Sequence, residues 1–386
     1  MSTHVCLVSE QLIPNVLPVL AERPRQVVLL ITPQMENQGR LLEKLLRERR
    51  FKTVSHPIPA YDFAGVLATC TKVIKDCRTT GETITLNVTG GTKIAALAAY
   101  QQFYFESHRI IYTDTANSRI LELGDAPTAV SLTENLFKVK DYLACYGKYL
   151  NHTAPAPSSE RVRQRRQATS RLCQILVQNP SILRELNWHV SEARRQRPQT
   201  PFTLSSDCYQ GKGGLIGSLL VQAGIAVPVS SREVRIEGDD NLFYLNGGWL
   251  EEFVYNTIVD MDVAGLNCRL NVNIRWENQS PTAQGKTTNE LDVAFTHRNR
   301  LHIISCKTSG LDKGGPDPVK GKEALYELDS MADNVGGLFA RSMLVSVHPP
   351  HETSCRRAKD LGIEIVAGQD ILAFGRHLQQ IWGLSS

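Results

Sequence analysis

Hydrophobic and polar positions along the first part of the chain alternate between two periods, one fit for strands and one for helices. Val27, Val28, Leu29, Leu30 and Ile31 form an unbroken apolar run, as expected of a strand buried on both faces. Residues 38–50 follow with Leu41, Leu42, Leu45 and Leu46 at helical spacing and charges between them. Residues 62–76 repeat the pattern with Phe63, Val66, Leu67, Val73 and Ile74 on the apolar side. Short strand-like runs at 4–8, 53–58, 83–88 and 109–113, and an Ala-rich helical stretch at 91–106, complete the alternation. Strands interleaved with helices of about 10–15 residues predict βαβ units and a parallel sheet, a Rossmann-like domain over residues 1–150.

A Pro/Ser/Ala stretch at 151–159 then breaks the pattern and reads as a linker. Residues 168–178 carry Leu172, Ile175 and Leu176 on one helical face, residues 213–223 give a second short helix, and 227–246 suit a hairpin. Residues 151–240 are therefore expected to form a small helical, winged-helix-like segment. A second α/β unit is predicted over 241–386. It opens on an amphipathic helix (249–261) whose inner stripe is Leu250, Phe253, Val254, Ile258 and Met261. A strand (268–276), a polar loop (278–288), two further strands (291–296 and 301–307), a helix (322–332), a strand (342–347) and another αβα run follow.

Composition narrows the class. The 386 residues exceed one ordinary core, and 42% apolar with 21% charged residues is the balance of a globular chain. No apolar stretch approaches the ~18–20 residues of a membrane span, and the N-terminus carries no secretion signal. Nine scattered cysteines, with no C-x-x-C and no Cys/His cluster at zinc spacing, suit reduced thiols, so a soluble cytoplasmic protein is expected. The net charge is a mild +4, yet residues 151–200 hold nine Arg, no Lys and three Glu. Such a block can lie against nucleic acid or form a solvated linker and helix face.

Two constellations carry candidate chemistry. Thr89, Gly90, Gly91, Thr92 and Lys93 fall directly after a strand and before a helix. Two glycines permit close backbone approach to a ligand, the helix start offers N–H groups, Lys93 adds charge, and the threonine hydroxyls can donate to phosphate or ribose oxygens. The spacing is neither a Walker A loop nor a dinucleotide fingerprint. Open α/β sheets bind ligands at the carboxyl ends of their strands, which favours a site there over a plain Gly-Gly turn with a Thr cap. The loop containing Ser9, Gln11 and Asn15, and Thr32 at the end of the 27–31 run, can face the same crevice.

The second constellation is a hairpin. Period-2 alternation puts Glu290 and Asp292 on one face, with Leu291, Val293 and Phe295 on the other, while Ser305 and Lys307 share a face. A turn at 297–300 pairs 296 with 301, hence 292 with 305 and 290 with 307, so Asp292 and Lys307 fall one diagonal apart. Carboxylates beside an ammonium suit a hard cation, Mg²⁺ or Mn²⁺, and phosphodiester hydrolysis. The preceding helix adds Glu251 or Glu252, either of which can border that face.

A Glu on a helix, then x-Asp on a strand, then x-Lys on the next strand resembles the PD-(D/E)xK, restriction-endonuclease-like fold. The resemblance gives Glu251, Asp292 and Lys307 catalytic roles, with Asp292 the central metal ligand; Glu290, on the Asp292 face, is a further catalytic candidate, and Glu290, Glu251 or the Cys306 carbonyl would complete the metal shell. The first part resembles a CARF domain, with 89–93 matching its ligand-binding turn and 9–15 its first loop. In order and length the chain is similar to the CARF nucleases of type III CRISPR systems. That resemblance implies a homodimer in which cyclic oligoadenylate, cyclic tetra-adenylate above all, activates metal-dependent cleavage of DNA, RNA or both. One position departs from the pattern: Ser305 stands where an acid is expected, two residues before Lys307. Two rival readings remain, a ligand-sensing transcription regulator with an inactive nuclease fold and an Arg-rich DNA reader, and an unregulated repair or restriction nuclease.

Overall fold

The structure, a computed structural model, describes residues 2–78, 83–124, 126–132, 135–151, 159–196, 202–205, 213–231, 233–276, 289–310 and 319–385. The N-terminal unit runs β1 (Ser2–Leu7), α1 (Ile13–Glu22), β2 (Gln26–Ile31), α2 (Glu36–Glu48), β3 (Lys52–Pro57), α3 (Phe63–Arg78), β4 (Thr83–Asn87), α4 (Lys93–Phe105), β5 (Arg109–Asp114), β6 (Arg119–Leu123) and β7 (Thr128–Ser131). Its sheet has the order β3-β2-β1-β4-β5-β6-β7; β1 to β5 are parallel, and β6 and β7 are added antiparallel. The apolar run on β2 divides between two layers. Val27 and Leu29 enter a core with α1 and α2, whereas Val28 and Leu30 enter one with α3 and α4. A strand covered on both faces needs apolar residues at every position, which is why the run is unbroken.

Helix α1 is absent from the periodicity reading, which placed a turn at 9–15. Residues 13 to 20 are all buried, so no polar face marks them as helical. Pro14 sits in the first turn, where the N–H it lacks would have had no helical partner.

The chain continues through α5 (Val139–Cys145), β8 (Lys148–Leu150), α6 (Ser159–Gln164), α7 (Arg166–Gln178), α8 (Pro180–Gln196), β9 (Phe202–Ser205), α9 (Gly213–Gln222), β10 (Ala226–Ser230), β11 (Glu233–Ile236) and α10 (Asp239–Phe243). The three strands β9 to β11 form a small antiparallel sheet of order β10-β11-β9 beside the helices, a winged-helix-like arrangement. The expected hairpin is shorter than 227–246, because residues 239–243 turn helical. Helix α8, also absent from the periodicity reading, buries Ile182, Leu183, Leu186 and Val190 at helical spacing.

The C-terminal unit comprises α11 (Trp249–Asp260), β12 (Asn267–Trp276), β13 (Asn289–His297), β14 (Arg300–Lys307), α12 (Val319–Gly336), β15 (Arg341–Ser346), α13 (Glu352–Asp360), β16 (Ile363–Ala367) and α14 (Phe374–Trp382). Its six-stranded sheet has the order β16-β15-β14-β13-β12-β8. Strand β8 pairs with β12, Leu150 facing Ile274, so a segment placed by sequence in the N-terminal part supplies an edge strand of the C-terminal sheet. One core joins the two large units: Leu17, Leu29, Leu42, Tyr142, Leu301, Ile303 and Leu325 belong to a single buried cluster. The opposite face of the C-terminal sheet packs Val293, Phe295 and Ile304 against α11, α14 and the middle helices. The polar loop expected at 278–288 and most of the 151–159 linker lie outside the described residues.

Among the described residues no helix is long and apolar enough to cross a membrane, and the eight described cysteines are all free thiols.

Candidate functional site

In the N-terminal sheet β1 and β4 lie side by side while their connections leave in opposite directions, the topological switch point at which such sheets form a ligand crevice. The loops after β1 and β4 meet there. Gly90 lies so near the end of β1 that a Cβ would stand 2.1 Å from the Leu7 carbonyl oxygen and 3.0 Å from Ser9 Oγ. Gly91 has φ +80°, in the left-handed region. The bareness of position 90 is thus required by its contact with β1.

The threonines differ from expectation in the same way. The Thr89 hydroxyl donates to Asn87 Oδ1 (2.6 Å) and accepts from the Thr113 N–H (2.7 Å). The Thr92 hydroxyl caps α4 by accepting from the Ala95 N–H (3.1 Å) and donates to the Ala60 carbonyl. Both hydroxyl protons are committed, because a strand-to-helix turn this tight must satisfy its own backbone first. Asn15 is also corrected. It is buried, its amide donating to the Leu7 carbonyl (2.9 Å) and its oxygen facing Asn87 (3.4 Å), so it ties α1 to the sheet. Thr32, at the end of β2, is buried. Gln11 accepts a hydrogen bond from Tyr146 Oη (2.8 Å), linking the first loop to α5. What reaches the surface is Lys93, with Ser9, Gln11, Thr89, Gly91 and Thr92 half-buried beside it, the Ser9 hydroxyl donating to the Gln11 carbonyl (3.2 Å). The interior tie of Asn87 and Thr113 to the Pro14 carbonyl (2.9 and 2.8 Å) had no signal in the sequence.

On the C-terminal sheet β13 and β14 pair in the expected register, Thr296 opposite Leu301 and Val293 opposite Ile304. Arg298 and Asn299 make the two-residue turn with φ of +47° and +59°, a conformation Asn tolerates well. Extending the register puts Asp292 opposite Ser305, and their side chains meet: Asp292 Oδ2 accepts from Ser305 Oγ (3.2 Å) and from the Cys306 N–H (2.6 Å). Glu290, Asp292, Ser305 and Lys307 line one cavity of about 260 Å³, with Glu327 of α12 on its far wall. Glu327 was not foreseen; it is a charged residue beside the buried Ala324 and Leu328, and helical period alone does not separate it from solvent charge.

One alternation fails. Leu291 packs with Val272 and Ile303, whereas Val293 and Phe295 pack on the opposite side. The register places Asp292 across from Asn271, whose φ of +50° breaks the regular pleat at that level.

The two glutamates of α11 part company. Glu252 is 2% exposed and forms a buried ion pair with Arg165, whose Nε lies 3.0 and 2.9 Å from its two oxygens. Arg165 also reaches Asp240 (3.1 Å) and lies 4.3 Å from the centroid of the Tyr244 ring. An arginine from the basic block is thereby a core residue and not part of a solvated face. Glu251 turns to the hairpin. Burial pushes its carboxyl well above the usual range, Asp292 and Glu290 push the same way, and Lys307 opposes them. Asp292 is likewise raised by burial against the pull of Lys307 and of its two hydrogen bonds, and Glu290 is raised by burial and by Asp292.

The site is thus a knot of under-neutralised carboxylates with one ammonium, which fits a hard divalent cation. Among the described residues no three His, Cys, Asp or Glu side chains stand close enough to hold an ion jointly. Two carboxylates with water completing the shell is the arrangement the donors allow, and Mg²⁺ commonly keeps several waters.

Comparison with known proteins bears on both sites. Residues 3–142 match the family model described as the Card1 CARF domain, and residues 239–383 match that of the Card1-like endonuclease domain. The chain is similar to protein VC1899 from Vibrio cholerae, with 25% identity over 99% of this chain and 98% of that one and a TM-score of 0.83. It is also similar to Can2 from Sulfobacillus thermosulfidooxidans, solved in complex with cyclic tetra-adenylate, with 27% identity over 98% and 96% of the two chains and a TM-score of 0.70. A type III CRISPR defence DNA nuclease activated by cyclic oligoadenylate shares the fold at 21% identity and a TM-score of 0.56, over 90% of this chain and 46% of that one. No curated protein matches the chain.

Proposed function

Because the chain is a CARF-domain nuclease, a Card1-type CARF domain joined to a Card1-like endonuclease domain, we propose that it is a cytoplasmic type III CRISPR effector that cleaves DNA, RNA or both when cyclic oligoadenylate binds its sensor. Cyclic tetra-adenylate is the activator proposed, since the similar Can2 was solved with it. The observation that carries the catalytic half is the meeting of Glu290, Asp292 and Lys307 in one cavity with Glu251 beside them.

A bound Mg²⁺ or Mn²⁺ would polarise the scissile phosphate and acidify a water molecule. Glu251 and Asp292 would hold it, with the Cys306 carbonyl as a further oxygen ligand and water completing the shell. The protein's own groups do the rest. The Cys306 N–H and the Ser305 hydroxyl fix the Asp292 carboxylate, so the serine positions an acid where the PD-(D/E)xK pattern would supply another. The Lys307 ammonium offsets charge that develops on the phosphoryl oxygens.

A homodimer is part of the proposal. Helix α4, which begins at Lys93, exposes Leu97, Tyr104 and Phe105, the last at 83%. A second copy would cover this face, and a two-fold ring fits a two-fold crevice. The hairpin is the proposed relay. Its turn rests on the sensor through Ser118 Oγ to the Arg298 carbonyl (2.8 Å), and its open end carries Asp292 and Lys307.

The test is cleavage of plasmid, single-stranded DNA and single-stranded RNA by the purified chain, with and without Mn²⁺ and cyclic tetra-adenylate. Cleavage is expected only with both, and Asp292→Asn or Lys307→Ala should abolish it with oligoadenylate binding intact. Unchanged cleavage in either variant removes the catalytic assignment. Equal cutting without the nucleotide would make the protein an unregulated nuclease.

A further inference from the structure

A second cavity, of about 400 Å³, opens where the two large units touch, far along the hairpin from Asp292. Residues 116–118, in the turn between β5 and β6, form one wall; the other comes from the hairpin turn, the start of β15 and the end of α14. Its polar lining is one-sided. Arg298, Arg300 and Arg341 face it together with His297 and His302, and no Asp or Glu is among the lining residues. Among the described residues none of the three guanidinium groups has a carboxylate within ion-pair distance. Arg300 spends one N–H on the Ala116 carbonyl, and Arg298 lies against Gly383, at the carbonyl end of α14. That helix end supplies at most about half a negative charge.

Two buried donors share the lining. His297 is 6% exposed; its ring lies against the Gly383 backbone, which leaves at least one ring nitrogen without a partner among the described residues. Trp382 is 7% exposed, and its Nε1–H is also without one. An indole N–H can only donate, so its partner must be an acceptor. Leaving such donors buried and unmet is unfavourable, and clustered cations repel. Burial and Arg341 both push the Arg300 guanidinium down, and burial and Arg298 do the same to His297. Asp114 and Tyr142 pull the Arg300 guanidinium the other way, and Ser118, Asn117 and His302 already have partners, so the unmet demand of the wall rests with the three guanidinium groups and the Trp382 N–H, which ask for a multivalent acceptor.

The geometry points to a binding site for a small phosphorylated anion at the junction of sensor and nuclease, held by Arg298, Arg300 and Arg341 with His297 and Trp382 as inner donors. Forked guanidinium groups match phosphate oxygens in a way a single ammonium does not. The volume lies within the ~300–1,000 Å³ range of small-ligand pockets, larger than a lone phosphate needs, so a diphosphate or a mononucleotide fits the space. The site is separate from the oligoadenylate crevice and the carboxylate cavity, and it does not depend on the proposed cleavage activity.

The test is titration of inorganic pyrophosphate, and in parallel phosphate, AMP and ATP, into the full-length protein in EDTA, followed by calorimetry. At least one of these should bind saturably, once per chain. Arg341→Gln, at an exposed strand start, and the double variant Arg298→Gln/Arg341→Gln should weaken that binding at least tenfold. Trp382→Phe, which removes only the inner donor and little volume, should weaken it several-fold. Lys93→Ala and Asp292→Asn should leave it unchanged, placing the anion outside the two other sites. No saturable binding up to about 10 mM of any of the four, binding lost in Lys93→Ala, or binding undiminished in Arg341→Gln and Trp382→Phe would overturn the proposal. So would binding of single-stranded oligonucleotides alone. Circular dichroism confirms that each variant is folded, and Arg341→Gln decides the matter where the others are not.

Discussion

Replacing Arg165 by Met removes the cation from a pair in which both side chains are nearly inaccessible, 1% and 2% exposed. Methionine fills much of the same space, so the consequence is electrostatic. Glu252 would keep its place on α11 with no paired counter-charge, only the more distant Arg161 acting on it, while Asp240, 27% exposed, would retain water and its contact with Arg161 (3.1 Å). A carboxylate stranded in this way takes up a proton instead of remaining charged. Holding a group with an ordinary value of about 4.3 neutral at pH 7 costs about 2.7 pH units at 1.36 kcal/mol each, about 3.7 kcal/mol. This falls within the roughly 3–5 kcal/mol observed when one partner of a buried pair is deleted.

The sign follows from linkage. In the variant the folded-state value of Glu252 lies above its unfolded value, so the penalty is absent well below about pH 4 and grows as pH rises. At pH 5 it should be only about 1 kcal/mol. Urea unfolding of wild type and Arg165→Met at pH 5 and pH 7, monitored by Trp fluorescence, measures the difference, Trp249 being buried on the same helix. The gap should widen by up to about 2.7 kcal/mol between the two conditions, less to the extent that burial already raises the wild-type carboxyl against the pull of Arg165, and Arg165→Met/Glu252→Leu should recover most of it at pH 7. A gap of the same size at both pH values, or no recovery in the double variant, would refute the claim that Glu252 is structural and that the charge of Arg165 is what it needs.

Other outcomes follow from the two sites. Gly90→Ala should weaken cyclic tetra-adenylate binding more than tenfold and lower thermal stability together, since its Cβ would meet a strand carbonyl at 2.1 Å; Lys93→Ala should weaken binding with no loss of stability. Ser305→Ala deletes one donor to Asp292 and should slow cleavage about fivefold, a change of about 1 kcal/mol, with the unfolding transition unmoved. Glu251 and Asp292 are both raised by burial and must ionise to hold a cation. Mn²⁺ affinity should therefore tighten as pH climbs, by up to about tenfold per unit for each proton displaced; an isotherm that does not change between pH 6 and pH 8 would count against these ligands.

Local pattern decided a good deal by itself. The five parallel strands and helices α2 to α4 follow from runs and periods, because an element that buries one face, or both, must write that burial into its own residues. The hairpin register was legible for the same reason: a short turn and a period of two leave little freedom in pairing, and Thr296 does face Leu301. Tertiary structure decided what pattern has no means to express. Helix α1 is buried all round and has no stripe; β8 crosses to the other sheet; Asn271 reverses the pleat beside Asp292. Above all, two adjacent glutamates on α11 are equivalent in sequence, and only packing could assign Glu252 to Arg165 and Glu251 to the hairpin acids. Charges act through space and through burial, and neither distance nor dielectric surroundings exist until the chain has closed on itself.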